Sequence, residues 1–274
     1  MRKLLIAFDG THFSEGVMGF TRLLNTHESV MATGLFMPQV VYANLWSYAS
    51  ASAGPEFIPL IEQDESDIVR TNIDRFSNYC IKHKIAHQVH KDFYDFALPE
   101  LKRESRFGDL LLLGSESFYA NLGTGQPNEY LTEALHTVEC PVMVIPEQWS
   151  VPDRNILACD GSQASIFAIK LFSYLFPEFK NNKTLLITLP PADKKFGDQE
   201  PYIWELVNAH FPDCTLMTLE VDPGKYFATW MSEMKSSVLV AGSYSRSFLS
   251  ELLRHSFVAS VIRDHKVPVF IAHP

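Results

Sequence analysis

The sequence is short of positive charge. Its 274 residues hold 23 Lys and Arg against 32 Asp and Glu, a formal net charge of −9. That balance excludes a broad contact with a nucleic-acid backbone, which needs a dense basic face. It leaves room for one small anion held by local backbone dipoles. Cysteine is sparse too: four residues, at 80, 140, 159 and 214, with no CxxC clip, which points to reduced thiols and a cytoplasmic setting. No stretch approaches 18 uncharged apolar residues, so no membrane span is expected. The apolar run after the first lysine, Leu4 to Phe8, is ended by Asp9 and is too short for a secretory leader. The motifs of common catalytic machinery are also missing: there is no GxSxG elbow, no HExxH, no GxxxxGK[ST] and no GxGxxG after the first strand. The residues after that strand, DGTH and its later counterpart DGSQ, do not form the SGGxDS-type loop of ATP pyrophosphatases. Strong catalysis is therefore not expected.

What is present is a repeat. LLIAFDGTHFS, Leu4 to Ser14, returns as ILACDGSQAS, Ile156 to Ser165, with the two Asp-Gly stops 151 residues apart. Between and after them, short apolar runs alternate with segments of helical spacing. In the first half the strand-like runs are LLIAF, VMATGLFM, AHQVHKDF, DLLLLG and PVMVIP. Val17, Phe20 and Leu24 form one helical stripe, Ile68, Ile73, Phe76 and Tyr79 a second, and Leu131, Leu135 and Val138 another, with a short helix over LPELKRESRF. The second half repeats the order with ILAC, TLLITLP, TLMTLEV, SVLVAG and VPVFIAHP. Its helices cover IFAIKLFSYLF, YIWELVNAHF, KYFATWMSEMKS (Phe227, Trp230 and Met234 on one face) and FLSELLRHSFVASVI (Leu249, Leu252, Val258 and Val261 inward). Residues 42–60, small, aromatic and broken by Pro, are expected to be a long loop that could cover a crevice or meet a partner.

Near-continuous apolar strands alternating with amphipathic helices mean a parallel sheet covered on both faces. Two tandem doubly wound α/β domains of five strands each are expected, with strand order 3-2-1-4-5, one over 1–148 and the other over 152–274. The polar, Pro-containing segment EQWSVPDR joins them. In such a sheet, ligands bind beyond the carboxyl ends of the strands where the winding reverses, between strands one and four. Asp9 and Asp160 end strand one of each half, and Gly114 and Gly242 end strand four. A carboxylate there can accept hydrogen bonds from a ribose or a base edge, and a glycine turn feeding a helix can present N–H groups to phosphate.

The ordered set DG[TS], then LLLGSES or VLVAGSYSRS, then a helix and CPVMVIP or VPVFIAHP, resembles the universal stress protein family in its tandem form. The likeness covers nearly all of both halves. It implies the adenine-nucleotide alpha-hydrolase-like fold, a stress-linked regulatory or binding role without strong catalysis, and pairing of fifth strands. In a tandem chain that pairing can be internal, giving a pseudo-twofold monomer or a homodimer of such units, and it hides two sheet edges. Some members of the family bind ATP through G-x-x-G-x9-G-[ST] after strand four. Here the second half keeps the spacing but only the ends of the pattern, with Gly242, Ser245, His255 and Ser256. In the first half Gly114 is followed by Ser117, and Asn128 and Glu129 stand where Gly and Ser/Thr are expected. Glycine lets backbone approach phosphate closely or reach positive φ, and Glu129 near a helix start favours the helix but repels phosphate. The resemblance thus implies AMP or ATP, with Mg²⁺ only as its companion, held chiefly by the second half. The candidate binding residues are Asp160, Gly161, Ser162, Gly242, Ser243, Ser245, Arg246 and Ser256, with Arg254 as further positive charge. The first-half equivalents are Asp9, Gly10, Gly114 and Ser115.

Each of these residues also has a plain structural reading. The aspartates can shape a turn or cap the next helix, the glycines can be strand-end bends, Arg246 can be a solvated surface residue, and His255 can be a helix residue at the rim. Cys80, His83, His87 and His90 suggest a zinc set, but a change from helix to strand is expected inside it, which would scatter the side chains. No metal is assigned there. Three functions follow: a nucleotide-responsive module, a scaffold for an unknown protein partner whose sites have degenerated, and an enzyme on an adenylated substrate, the last disfavoured because no nucleophile or metal set is present.

Overall fold

The structure is a computed structural model that describes residues 1–38, 63–91, 97–120, 128–188, 197–218, 223–242 and 257–274. The 42–60 segment, Leu249 and Leu252 lie outside them. The first half contributes β1 (Arg2–Phe8), α1 (Glu15–His27), β2 (Val30–Phe36), α2 (Gln63–Lys82), β3 (Ala86–Lys91), α3 (Ala97–Ser105), β4 (Leu110–Gly114), α4 (Glu129–Thr137) and β5 (Val142–Ile145). The second contributes β6 (Arg154–Cys159), α5 (Gln163–Leu175), β7 (Lys183–Thr188), α6 (Glu200–His210), β8 (Cys214–Thr218), α7 (Pro223–Glu233), β9 (Ser237–Gly242), α8 (Phe257–Asp264) and β10 (Val269–Ala272).

All ten strands form one sheet in the order β3-β2-β1-β4-β5-β10-β9-β6-β7-β8. Within each half the pairing is parallel and runs 3-2-1-4-5. The halves meet at their fifth strands, where β5 and β10 pair antiparallel, Met143 opposite Phe270. Successive side chains of a strand point to opposite faces, and the sheet buries both. Leu4, Ile6, Leu110 and Leu112 face one core with Leu157, Val238, Val240 and Phe270. Leu5, Ala7, Leu111 and Leu113 face the other with Ile156, Leu239, Val269 and Ile271. Each core therefore runs through both halves. The apolar runs of the central strands read as near-continuous in the sequence because neither face is wet there, whereas the edge strands β3 and β8 are largely exposed or half-buried.

Most helices settle as their spacing predicts: Val17, Phe20 and Leu24 are fully buried beneath α1, and Leu131, Leu135 and Val138 beneath α4. Helix α2 is rotated from the expected stripe. Ile68 is 46% exposed, while Val69, Asn72, Phe76 and Cys80 point inward. The rotation has two causes. Phe76 packs edge-on against Phe8 and Phe36, and Asn72 Nδ2 donates to the carbonyls of Gly10 and Thr11 (2.9 and 3.1 Å). These two carbonyls, bonded by Asn72, thus help to set the phase of the helix.

The halves are tied off the sheet as well. Phe20 of α1 meets Phe176, and Phe176 meets Phe270. The Arg2 guanidinium reaches across to the Leu175 carbonyl and to Glu178, whose side chain is 3% exposed. Trp149, in the connecting segment, packs on Phe20 and donates its indole N–H to the Gly16 carbonyl. On the other side, His265 Nδ1 lies 2.7 Å from Ser115 Oγ. No helix among the described residues is long and apolar enough to cross a membrane.

Candidate functional site

The repeated Asp-Gly stop makes the same turn twice. Gly10 has φ +89° and Gly161 φ +78°, a region other residues rarely adopt, which is why glycine follows the aspartate in both halves. A serine then caps the helix, Ser14 in the first half and Ser162 in the second, while the hydroxyl directly after Gly10, Thr11, turns to Asp9 instead. Ser14 Oγ accepts from Val17 N at the start of α1, and Ser162 Oγ accepts from Ser165 N at the start of α5. Strand four ends against this cap in each half. A Cβ on Gly242 would lie 2.4 Å from the Ala164 carbonyl carbon and 2.5 Å from Ser165 N, so β9 packs backbone to backbone on the first turn of α5. A Cβ on Gly114 would meet Ser117 Oγ at 2.2 Å and the Ser14 side chain. The aspartate, the glycine and the helix cap do converge on one rim, at the carboxyl ends of the central strands.

The two rims differ in what their aspartates do. Asp9 is 5% exposed. Its Oδ1 accepts from Thr11 N (2.9 Å), His12 N (2.7 Å) and Thr11 Oγ (3.2 Å). Its Oδ2 accepts from Tyr119 N (3.1 Å) and lies 2.6 Å from His12 Nδ1. The carboxylate is filled by its own chain. Tyr119 is the reason the rim closes. It is a non-glycine residue at φ +53°, its side chain is buried, and its hydroxyl donates to the Met37 carbonyl beyond β2 at 2.5 Å. The ring packs against Phe118 and Tyr130. Burial, with the Asp9 carboxylate next, pushes the Tyr119 phenol far above its ordinary range. Asn128, which caps α4 by accepting from Leu131 N, turns its Nδ2 back to the carbonyls of Phe118 and Tyr119.

Asp160 stands in the open. It is exposed, and its Oδ1 accepts from Ser162 N at 2.9 Å. Partial desolvation works to raise its carboxyl, but hydrogen bonds from the Ser162 hydroxyl and backbone, and from Ser165, outweigh that and hold it below the usual carboxylate value. Beneath it, Cys159 is buried, 3.8 Å from Ser165 Oγ, with its thiol pushed up by burial. A buried thiol of this kind is a packing group and not a nucleophile.

Of the sequence candidates, Asp9, Gly10 and Gly114 gather at the first rim, and Asp160, Gly161, Ser162 and Gly242 at the second. Ser115 is turned away to His265 of the other half. Ser243, Ser245, Arg246, Arg254, His255 and Ser256 lie outside the described residues. Cys80, His83, His87 and His90 do not converge. Cys80 is in the core with its thiol raised to about 12, His83 lies on the Tyr79 ring, His87 reaches the Ile85 carbonyl, and His90 pairs with Glu104. Sequence reasoning missed Tyr119, Asn72 and His12. The signal for Tyr119 was there. Superposing the halves on Gly114 and Gly242 sets Tyr119 against Ser247.

No protein-family model matches the chain, and no curated protein matches it. Solved structures do. A universal stress protein from Archaeoglobus fulgidus DSM 4304 superposes with a TM-score of 0.71 over 99% of this chain and 96% of its own, at 15% identity. A protein of unknown function from Pseudomonas aeruginosa PAO1 and a putative universal stress protein from Pseudomonas aeruginosa UCBPP-PA14 each superpose with a TM-score of 0.57 over 100% of this chain, at 8% identity. With two five-stranded halves joined at their fifth strands, and full-length coverage by such neighbours, the chain has the fold of the universal stress proteins in its tandem form.

Proposed function

We propose that this chain is a cytoplasmic, non-enzymatic regulatory protein of the stress-response kind that takes an adenine nucleotide, AMP or ATP, at the rim of its second half. The observation that carries the reading is the contrast between the aspartates: Asp9 is saturated by five contacts from its own half, whereas Asp160 is exposed and ionised. A carboxylate at a strand-end crevice is placed to accept ribose hydroxyls. The bend at Gly242 brings backbone close to the N-terminus of α5, where the helix dipole favours a phosphate. Ser243, Ser245, Arg246 and Ser256 follow in sequence and complete the proposed set, with Mg²⁺ arriving only with the triphosphate.

Titration calorimetry with AMP and ATP, with and without Mg²⁺, tests it. The expected result is one nucleotide per chain and at least a tenfold loss of affinity in Asp160→Ala. No heat up to millimolar nucleotide sinks the reading. The closed first rim favours a second one, in which the chain is a scaffold for another protein and neither half takes a nucleotide. Absence of nucleotide heat, together with a partner that binds wild type and Asp160→Ala equally, would decide for it.

A further inference from the structure

We propose that Tyr119 is a tethered occupant of the first crevice, holding by its own ring and hydroxyl the place a ligand would take and making the first half a shut copy of the second. The choice of probe rests on the nucleotide reading above; the closure itself does not. Three observations meet in one residue. The backbone N–H of Tyr119 occupies Asp9 Oδ2, so the carboxylate is bonded by the same residue that fills the space before it. The phenol hydroxyl reaches the Met37 carbonyl just past β2, so the ring bridges from the end of β1 to the end of β2. The residue holds a left-handed backbone conformation without being glycine, at φ +53°, which is unfavourable for a side-chain-bearing residue and persists only when its surroundings hold it there.

Those surroundings are built for the purpose. Asn128 binds both the Phe118 and the Tyr119 carbonyl, Tyr130 lies against the ring at 4.4 Å between centroids, and Asn72 fixes the Gly10–Thr11 backbone from behind. A group that satisfied the same partners from outside would be a flat ring with an N–H donor for Met37 O, joined to hydroxyls for Asp9. That is the chemistry of a nucleoside. Counting from the glycines that end strand four, the second half carries Ser247 where the first has Tyr119.

The test counts adenosine sites. Adenosine is used because it is uncharged, which separates the ring and ribose contacts from any phosphate contact. Equilibrium dialysis and calorimetry are run on the full chain, on Tyr119→Ala and on Tyr119→Phe. Tyr119→Ala is expected to bind one more adenosine per chain than wild type, and a further Asp9→Asn change is expected to remove that extra site at least tenfold in affinity. Tyr119→Phe, which keeps the ring, is expected to bind as wild type does. A folded Tyr119→Ala with the wild-type count overturns the proposal. If wild type binds none and Tyr119→Ala binds one, the closure stands and the second-half reading fails; if both bind one, the reverse holds. Should Tyr119→Ala not fold, the Tyr119 ring resonance of the wild-type chain, assigned through Tyr119→Phe, decides. It is expected to stay unmoved at millimolar adenosine, and a shift overturns the closure.

Discussion

Gly114 and Gly242 end the same strand in the two halves, yet a methyl group added to each would meet different things. At Gly242 it would meet backbone, the Ala164 carbonyl group and Ser165 N, which cannot move without shifting α5. At Gly114 its closest neighbour would be the Ser117 hydroxyl, which can rotate away, with the Ser14 side chain more than 3 Å off. Overpacking that the surroundings cannot relieve costs about 1–3 kcal/mol. Gly242→Ala is therefore expected to lose that much in urea denaturation, and Gly114→Ala clearly less. Equal losses would mean that β9 is not locked against the helix cap. At this scale the sequence was readable where the backbone left a mark. Asp-Gly announces a positive-φ turn in both halves, and the hydroxyl directly after it is the N-cap in the second, Ser162, whereas in the first Thr11 bonds Asp9 and the cap is Ser14. It was not readable where a side chain turns inward from a loop. Nothing in SESFY says that the tyrosine, and not the phenylalanine before it, bonds Met37 and Asp9. That is set by the position of β2, whose end presents the Met37 carbonyl, and by nothing more local than the fold itself.

Among the elements, α2 shows how a polar residue can set a helix's rotation. The spacing predicts a stripe of Ile68, Ile73, Phe76 and Tyr79; Phe76 is buried and Ile73 and Tyr79 pack partly against the core, but Ile68 is exposed and Val69, Asn72 and Cys80 take the buried places. Hydrophobic periodicity treats an asparagine as solvent-facing, so it cannot see two carbonyls waiting on the far side. Asn72→Ala would leave the Gly10 and Thr11 carbonyls unpaired in a buried place, at a cost of about 1–3 kcal/mol. The expected signature is local as well as global: faster hydrogen exchange at Thr11 and His12, whose N–H groups bond Asp9, with little change at β9. Uniform loss of protection would place Asn72 in general packing and not behind the turn. The strands were easier to read than the helices because a sheet buried on both faces writes its apolar runs without interruption, as LLLLG in β4 does.

At the scale of the whole molecule, the question is what keeps two similar halves in one arrangement. Part of the answer is the continuous sheet through β5 and β10. Another part is the Arg2–Glu178 pair, buried between the halves. Arg2 is not well satisfied there: its Nη2 has no hydrogen-bond partner, and its Nε has none beyond a long ion pair with Glu28 at 3.6 Å. Removing one member of a buried pair costs about 3–5 kcal/mol, whereas replacing both with apolar residues is often neutral or better. Arg2→Ala is expected to destabilise by about that amount in chemical denaturation, and Arg2→Met with Glu178→Leu to recover most of it. A double variant as unstable as the single one would show that the charges, and not the shape of the contact, hold the halves together.

The contact on the opposite side adds a dependence on pH. His265 of the second half meets Ser115 of the first; Ser115 Oγ donates to Glu116, and Glu116 accepts from Glu147 N at the start of the connecting segment. Burial lowers the His265 pKa from 6.5, Glu116 and Asp264 work to raise it, and Lys266 lowers it further, so the folded protein favours the neutral ring. His136, whose Nε2 is buried without a partner, is lowered from 6.5 by burial as well. A histidine with a depressed folded-state pKa binds its proton more readily in the unfolded chain. Its contribution is therefore complete above about 6.5 and is lost as pH falls from there through the folded-state value. The melting temperature is expected to be level between pH 7 and 8 as far as these groups are concerned, and to decline below about pH 6.5. His265→Gln, which keeps a polar contact to Ser115 without the titration, is expected to make that decline shallower, and His136→Gln to do so independently. Because His265 alone spans the two halves, only its substitution should also change how steeply the halves' separation, read by fluorescence of Trp149 at their junction, follows pH. If both variants left the Trp149 profile unchanged, the histidine would be a passenger at the interface, and the sheet, the phenylalanines and the Arg2 pair would be sufficient to hold the halves at any pH.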